Sequence, residues 1–168
     1  MKMFRRGRGQ SALLVALLTG AVLIPAPAFA APSQSEMSAD LEGKPIQLGE
    51  VSRYHCQDLD YPRIHCFRTE AARDTSAAPL LASSGVTYVI VWENPSFQGA
   101  SLIVSQDYTQ LVTLAWNDRI SSFKAKNGLN GRFWTDWFYG GTAYYFCCNQ
   151  QVTVLGSFDN TFSAIQQL

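Results

Sequence analysis

The C-terminal half of the chain alternates short apolar runs with polar turns. Residues 86–92, 101–104 and 142–146 are rich in β-branched and aromatic side chains, and Gly, Asn, Asp and Pro separate these runs. Short strands bounded by such turn residues are typical of an antiparallel sandwich or barrel. Because most of the aromatic residues also lie in this half, it is the expected packed core. The pattern predicts an all-β domain over residues 86–168.

Residues 31–85 lack this pattern. The first twenty or so are small and polar without apolar periodicity, which is typical of a disordered lead-in. A cysteine-containing stretch follows, with a predicted helical turn at 69–73, and residues 75–85 have the composition of a linker. We therefore expect a mostly irregular, disulfide-containing segment ahead of the β domain.

The first thirty residues have the features of a secretory signal peptide. Four basic residues precede the apolar run 12–24, and Ala28-Phe29-Ala30 supplies a small-x-small cleavage site. The apolar run is too short for a comfortable membrane span. We expect cleavage after Ala30 and secretion of the mature chain to the extracellular space.

Loss of this segment changes the charge balance. The whole chain has 13 basic and 13 acidic residues, and removing four basic ones leaves a net charge of about −4. A mildly acidic protein has no electrostatic reason to bind nucleic acid or anionic lipid. We expect a monomer that contacts neither nucleic acid nor, after cleavage, a membrane.

Four cysteines follow the predicted signal peptide: Cys56, Cys66, Cys147 and Cys148. An even number in an exported chain indicates disulfides. A bridge between the adjacent Cys147 and Cys148 would close a small strained ring and is least favoured. Two alternatives stay open, a local Cys56–Cys66 loop and bridges that tie the N-terminal segment to the β domain.

Other chemistry has weaker support. His55 and His65 adjoin Cys56 and Cys66, but this spacing is unlike familiar zinc sites, and an oxidising compartment favours a disulfide. The sequence has no Gly-x-Ser-x-Gly elbow and no His-Glu-x-x-His helix. We expect that the protein is not an enzyme.

The β domain is an internal repeat with an offset of 42 residues and no gap. The offset superimposes Trp92 on Trp134, Asn94 on Asp136, Phe97 on Tyr139, Gly99 on Gly141, Trp116 on Phe158, Ile120 on Phe162 and Ser121 on Ser163. Aromatic residues thus align with aromatic residues and turn residues with turn residues, which predicts one β unit used twice, over about 86–127 and 128–168. Ile120 and Phe162 are expected to point into the core.

Each repeat carries two linked motifs, aromatic-x6-Gly-x-Ser and [Asn/Asp]-[Asn/Asp]-x-x-[Ser/Thr]-Ser. The first repeat matches both in full, and the second departs from them at Ala143 and Ala164. The motifs resemble the Greek key and the calcium motif of the βγ-crystallin family. The resemblance covers residues 86–168 and implies a sandwich of two Greek keys.

The resemblance also implies up to two calcium sites, built from Glu93, Asn117, Asp118, Ser121, Thr135, Asp159, Asn160 and Ser163. Each site would combine a side-chain oxygen of Asp118 or Asn160 with a serine hydroxyl, and the two loops would share ligands. Backbone carbonyls near Glu93 and Thr135 would complete the shells. The Asn160 site is expected to be weaker because an amide carries no charge. The alternative is that these residues serve only as turn formers.

The resemblance favours a secreted, non-enzymatic, calcium-binding module. The alternative is an inhibitor of a secreted peptidase, since the chain also resembles a family of small exported actinobacterial metallopeptidase inhibitors with this fold. Residues 127–132 and the 56–66 segment are the candidate inhibitory loops. The aromatic cluster within 133–146 is expected to be mostly core, and the alternative is an exposed patch that binds a protein or a sugar.

Overall fold

Two β-sheets carry the fold, and the computed structural model describes residues 37–168. The strands are β1 (Ser38–Leu41), β2 (Lys44–Ile46), β3 (His55–Asp60), β4 (Arg63–Phe67), β5 (Tyr88–Asn94), β6 (Gln98–Val104), β7 (Ser122–Lys126), β8 (Gly131–Asp136), β9 (Gly140–Phe146), β10 (Gln151–Val152) and β11 (Ala164–Gln167). The described residues also form the helix α1 (Glu70–Ser84) and short 3-10 helices at Leu48–Arg53, Leu111–Leu114, Trp137–Tyr139 and Gly156–Phe158. The predicted signal peptide lies outside the described residues.

The two repeats exchange strands across the domain. β10 of the second repeat pairs with β7 of the first, in the sheet of order β10-β7-β5-β6-β3-β4-β1-β2. In return, Tyr108 of the first repeat forms a bridge to Ile165 in the sheet of order β11-β8-β9, with N···O distances of 2.9 and 2.8 Å. This reciprocal exchange makes each repeat a Greek key, so the predicted all-β fold with two Greek keys is confirmed.

The space between the two sheets is filled by aromatic side chains. Phe133 stacks on Phe162 with ring centroids 4.9 Å apart, and it contacts Phe123 and Phe146 at 5.1 and 4.6 Å. Ile120 and Phe162 are both fully buried, as the repeat predicts. Each such aromatic pair adds about 0.5–1.5 kcal/mol beyond its area burial, and the contact of Phe123 with Phe133 joins the first repeat to the second.

The expectation of a mostly irregular N-terminal segment has to be corrected for residues 38–84, which carry four strands and α1. β3 pairs in parallel with β6, with Cys56 opposite Leu102 and Gln57 opposite Ile103. The segment thereby extends the sheet of the first repeat to eight strands and shares its core. Three consecutive residues of β3, 56–58, are buried, so the strand has no alternation of apolar and polar positions for a sequence pattern to detect.

The predicted linker, 75–85, is also corrected, since most of it is the second half of α1. Thr69 caps the helix by accepting a hydrogen bond from the N–H of Ala72 at 3.2 Å, and the left-handed Gly85 ends it. On the inner face of α1, the buried Arg73 donates to Ser101 on β6 and to the Glu70 and Asp74 carboxylates. No helix in the described part of the chain has the length and apolarity to cross a membrane.

A buried carboxyl group fixes β3 against the first repeat. Asp58 is fully buried and accepts hydrogen bonds from the backbone N–H and the hydroxyl of Ser105, at 2.6 and 2.7 Å. The hydroxyl of Tyr108 donates to its other oxygen at 3.1 Å. Burial raises the pKa of Asp58 to about 6, because these hydrogen bonds only partly replace the lost hydration of the carboxylate.

The structure decides between the two disulfide pairings that the sequence left open. Cys56 and Cys66 form a disulfide between β3 and β4 and are buried, whereas Cys147 and Cys148 are exposed thiols. A hydrogen bond with the neighbouring Cys147, which favours the protonated thiol, is the main cause of the raised pKa of Cys148. The bridges to the β domain therefore do not form. The disulfide also removes the thiolates that a zinc site next to His55 and His65 would need.

Candidate metal site

The two motif loops lie side by side across an approximate two-fold axis. The backbone N–H of Asp118 donates to the carbonyl of Phe162 at 2.9 Å, and the equivalent N–H of Asn160 donates to the carbonyl of Ile120 at 3.1 Å. Both donors have a left-handed backbone, with φ near 55°, which Asp and Asn adopt more readily than most residues. The bonds cross between the repeats, so each loop holds the other in place.

The motif serines are fixed in the same symmetric way. The N–H groups of Ser121 and Ser163 donate to the carbonyls of Trp92 and Trp134 at 3.0 and 2.8 Å. Both serines are buried. The hydroxyl of Ser121 donates to the amide oxygen of Asn160 at 3.2 Å, so a serine of one repeat lies against the loop residue of the other.

One side of the axis opens into a concavity of about 490 Å³. Its lining is Asn117, Asp118, Thr135, Asp136, Trp137 and Ser163. Four of the eight predicted ligand residues therefore come together here, from both repeats. The Asp118 and Asp136 carboxylates have no Lys, Arg or His partner within ion-pair distance among residues 37–168. Two uncompensated carboxylates in one concavity favour a bound cation.

A chain of hydrogen bonds orients the Asp118 carboxylate. The amide nitrogen of Asn117 donates to Asp118 Oδ2 at 2.7 Å, and the indole N–H of Trp137 donates to Asn117 Oδ1 at 2.9 Å. Asn117 thus shapes the loop, the role that the resemblance implies for it. The hydroxyl of Thr135 is occupied as an acceptor from the N–H of Thr142 at 2.9 Å.

The other side of the axis differs in charge. The Arg119 guanidinium forms an ion pair with the Glu93 carboxylate and approaches the carbonyl of Ser52 at 3.5 Å. On this side, the Glu93 carboxylate therefore already has a cationic partner. Asp159 accepts from Asn160 Nδ2 at 3.4 Å, and its buried Oδ1 has no partner among the described residues.

The donor set of the concavity fits calcium better than a softer metal. Calcium takes six to eight oxygen ligands from carboxylates, hydroxyls, carbonyls and water, and the lining offers carboxylate, hydroxyl and amide oxygens. Within the described residues, no cluster of three or more His, Cys, Asp or Glu side chains is placed to hold a metal. Zinc and other metals that prefer nitrogen or sulfur ligands therefore fit poorly.

Sequence reasoning missed three residues of this region. Asp136 and Trp137 line the concavity, and Arg119, within the loop 117–121, pairs with Glu93. The 42-residue offset placed Asp136 on Asn94, which marked it as a turn residue and concealed the extra carboxylate. The same offset places Trp137 on Pro95 and Arg119 on Thr161, and these mismatches between the repeats were the available signal.

The two candidate inhibitory loops are both anchored. The 56–66 segment is the β3–β4 hairpin, which pairs with β6 on one side and β1 on the other. The segment 127–132 is held by a bond from Asn127 Nδ2 to the carbonyl of Val86 at 2.7 Å and by one from the N–H of Gly128 to Asn149 at 3.1 Å.

No family model and no curated protein matches the chain. Solved structures of βγ-crystallin domains are similar to about half of it. One from an archaeon is 29% identical and covers 49% of this chain and 99% of its own, with a TM-score of 0.45. A Ciona intestinalis βγ-crystallin is 24% identical with a TM-score of 0.44, covering 48% of this chain and 99% of its own. A Flavobacterium johnsoniae βγ-crystallin domain is 23% identical with a TM-score of 0.43, covering 48% of this chain and 92% of its own.

Proposed function

We propose that the protein is an exported, non-enzymatic, βγ-crystallin-type module that binds calcium between the loops 117–121 and 159–163. The observation that carries the proposal is the pair of carboxylates, Asp118 and Asp136, that share one concavity without a cationic partner among the described residues. The buried disulfide is consistent with export to an oxidising compartment.

The role of calcium in this proposal is structural. Asp118 belongs to the first repeat, whereas Thr135, Asp136 and Ser163 belong to the second. Oxygens from both repeats would hold the ion, which supplies the positive charge that the concavity lacks. Binding would therefore tie the loop of one Greek key to the strand end of the other and raise the free energy of unfolding.

The two loops are expected to differ in affinity. The concavity at Asp118 has two carboxylates without a cationic partner, whereas the position equivalent to Asp118 in the other loop is the neutral amide Asn160, and the Glu93 carboxylate is already paired with Arg119. Because calcium affinity follows the charge of the ligands, one ion should bind clearly more tightly than the other.

The direct test is thermal unfolding of the oxidised protein, first in EGTA and then in millimolar calcium. A ligand present at a hundred times its dissociation constant stabilises the native state by about 2.7 kcal/mol, which corresponds to several degrees in midpoint. Asp118→Asn should abolish the shift. The matched control is Asp60→Asn, an exposed carboxylate on β3, which should preserve the shift. If the unfolding midpoint is the same in EGTA and in saturating calcium, the two loops do not bind calcium and serve only as turns.

Peptidase inhibition is the alternative function. It rests on the resemblance, and no contact in the described residues favours it. Stoichiometric inhibition of a secreted metallopeptidase by the calcium-free protein would establish it, whereas calcium-dependent stabilisation without inhibition would support the first function alone.

A further inference from the structure

The two repeats build the same turn from different side chains. Residues 95–97 of the first repeat, Pro-Ser-Phe, correspond to residues 137–139 of the second, Trp-Phe-Tyr. The backbone is equivalent, since φ is 58° and 63° at Ser96 and Phe97 and 55° and 63° at Phe138 and Tyr139. The N–H of the second turn residue donates to the other repeat in both cases, to Thr153 and to Thr109, at 2.8 Å.

The fold requires an aromatic residue only at the third position of this turn. Phe97 packs on Trp92 with centroids 5.2 Å apart, and Tyr139 packs on Trp134 at 6.5 Å. The first two positions are Pro95 and Ser96 in the first repeat, and both are exposed. The same turn therefore forms without large apolar side chains at these positions.

In the second repeat, these two positions present large aromatic rings to solvent. Trp137 is 49% exposed and Phe138 is 67% exposed. The Trp137 ring is also held in place, because its indole N–H is bound to Asn117 in the loop of the other repeat. A fixed, exposed aromatic ring that the fold does not need indicates a binding surface.

Trp137 forms one wall of the concavity, and the rest of the lining is polar. The lining offers carboxylate and amide oxygens as acceptors and the Ser163 hydroxyl as donor or acceptor. Its volume of about 490 Å³ is in the range of small-molecule sites. A sugar ring has apolar C–H faces that stack on an aromatic ring and hydroxyl edges that bond to carboxylates. The uncompensated charge of Asp118 and Asp136 disfavours an anionic ligand.

We propose that this concavity binds a neutral oligosaccharide, with Trp137 as the stacking ring, Asp118 and Asp136 as hydroxyl acceptors, and the exposed Phe138 as an adjacent ring for a sugar unit that extends beyond the concavity. The inference deepens the proposed function, because it uses the same concavity. Calcium held there would still have coordination positions open to a pair of sugar hydroxyls. The aromatic rings are not calcium ligands, so trisaccharide binding in EGTA and stabilisation by calcium without sugar test the two proposals separately.

The test is calorimetric titration of the oxidised protein with neutral trisaccharides of glucose, mannose, galactose and N-acetylglucosamine, in calcium and in EGTA. Concentrations up to about 10 mM detect a dissociation constant near 1 mM. The key variant carries Trp137→Pro with Phe138→Ser, which copies the turn of the first repeat and should therefore fold. The matched control carries Val154→Ser with Leu168→Ser, two exposed apolar residues outside this turn.

At least one trisaccharide should bind the wild type and the control alike. The turn variant should bind it at least tenfold more weakly in EGTA as well as in calcium. Absence of binding for the whole panel, or equal binding by the turn variant, would overturn the proposal. If the wild type shows no stabilisation by calcium but binds a trisaccharide equally well in calcium and in EGTA, the calcium function fails and this one stands.

Discussion

Asp58 on β3 accepts a hydrogen bond from the hydroxyl of Tyr108 at 3.1 Å, across 50 positions of sequence. Asp58 belongs to the N-terminal strands, and Tyr108 belongs to the first repeat, where it also bridges to Ile165 of the second. A single buried carboxyl group therefore contacts the residue at which all three parts of the described chain meet.

This carboxyl group should make the stability depend on pH. Its pKa is about 6 in the folded protein and near 3.9 when unfolded, so the folded state binds the proton more tightly. Between pH 4 and 6 the unfolded carboxyl group ionises first, and this group's contribution to the unfolding free energy falls by on the order of 3 kcal/mol. Urea unfolding at pH 4, 5, 6 and 7 should show a fall that Asp58→Asn removes. Parallel pH profiles for the two proteins would contradict this assignment.

The buried Arg73 should be a strong determinant of stability. Its side chain is almost fully buried and binds Ser101, Glu70 and Asp74. Arg73→Ala leaves a cavity and removes the hydrogen bond to the buried Ser101, so it should lower the free energy of unfolding by about 3 kcal/mol. Glu70 and Asp74 are partly exposed and contribute little to this loss, because water can hydrate their carboxylates. The matched control is Arg68→Ala, which breaks an exposed ion pair with Glu42 and should cost less than about 1 kcal/mol. Equal losses in urea unfolding would show that burial of Arg73 contributes little.

Alanine substitutions at two glycines with similar backbone angles should distinguish the cost of backbone strain from the cost of steric overlap. Gly43 and Gly141 have φ of 82° and 72°, but a Cβ on Gly43 meets nothing within 4 Å, whereas one on Gly141 would lie 2.2 Å from Thr135 Oγ1. Gly43→Ala should cost about 1 kcal/mol. Gly141→Ala should cost about 2 kcal/mol more, because Thr135 or Asp136 must move. Since these residues line the concavity, calcium stabilisation should weaken only in Gly141→Ala. Identical unfolding midpoints for Gly43→Ala and Gly141→Ala would show that the hairpin accommodates a Cβ at position 141 without cost.

The calcium affinity of the loop at Asn160 should rise when negative charge is added to it or positive charge is removed. Asn160→Asp adds a carboxylate at the position equivalent to Asp118, and Arg119→Gln removes the neighbouring guanidinium and frees Glu93. Each change should raise the affinity of the second calcium ion by about tenfold, as adding a charged ligand or removing a like charge does. Calorimetry should then resolve two tight sites in the double variant. Asn149→Asp, which adds a charge outside both motifs, is the control and should leave the titration unchanged.

The repeats were predictable because their signals are local. A spacing of 42 residues brings aromatic, glycine and serine positions into register, and each fixes a turn or a core contact within its own repeat. Ile120 and Phe162 were therefore placed in the core correctly. The Cys56–Cys66 pairing was one of two alternatives, and the sequence could not choose between them.

The N-terminal strands were not predictable for a physical reason. β2 is Lys-Pro-Ile, and β3 buries Gln57 and Asp58 beside Cys56, so neither follows an apolar and polar alternation. β2 pairs with β1, and β3 is held by its pairing with β6 and by the bonds of Asp58 to Ser105 and Tyr108, about 45 to 50 positions away. Contacts at this distance leave no local pattern.

Because β3 covers the outer edge of β6, it also limits how two copies of this chain can join through their sheet edges. The offset of 42 residues makes β9 the counterpart of β6, and within residues 37–168 only β8 pairs with β9. The other terminal strands are β2, β10 and β11, which have three, two and four residues, against seven in β9. A molecule with one long free edge can share it with one neighbour, and then no second edge of that length remains. Growth of a continuous sheet through these edges would therefore stop at two molecules and would not proceed to a filament.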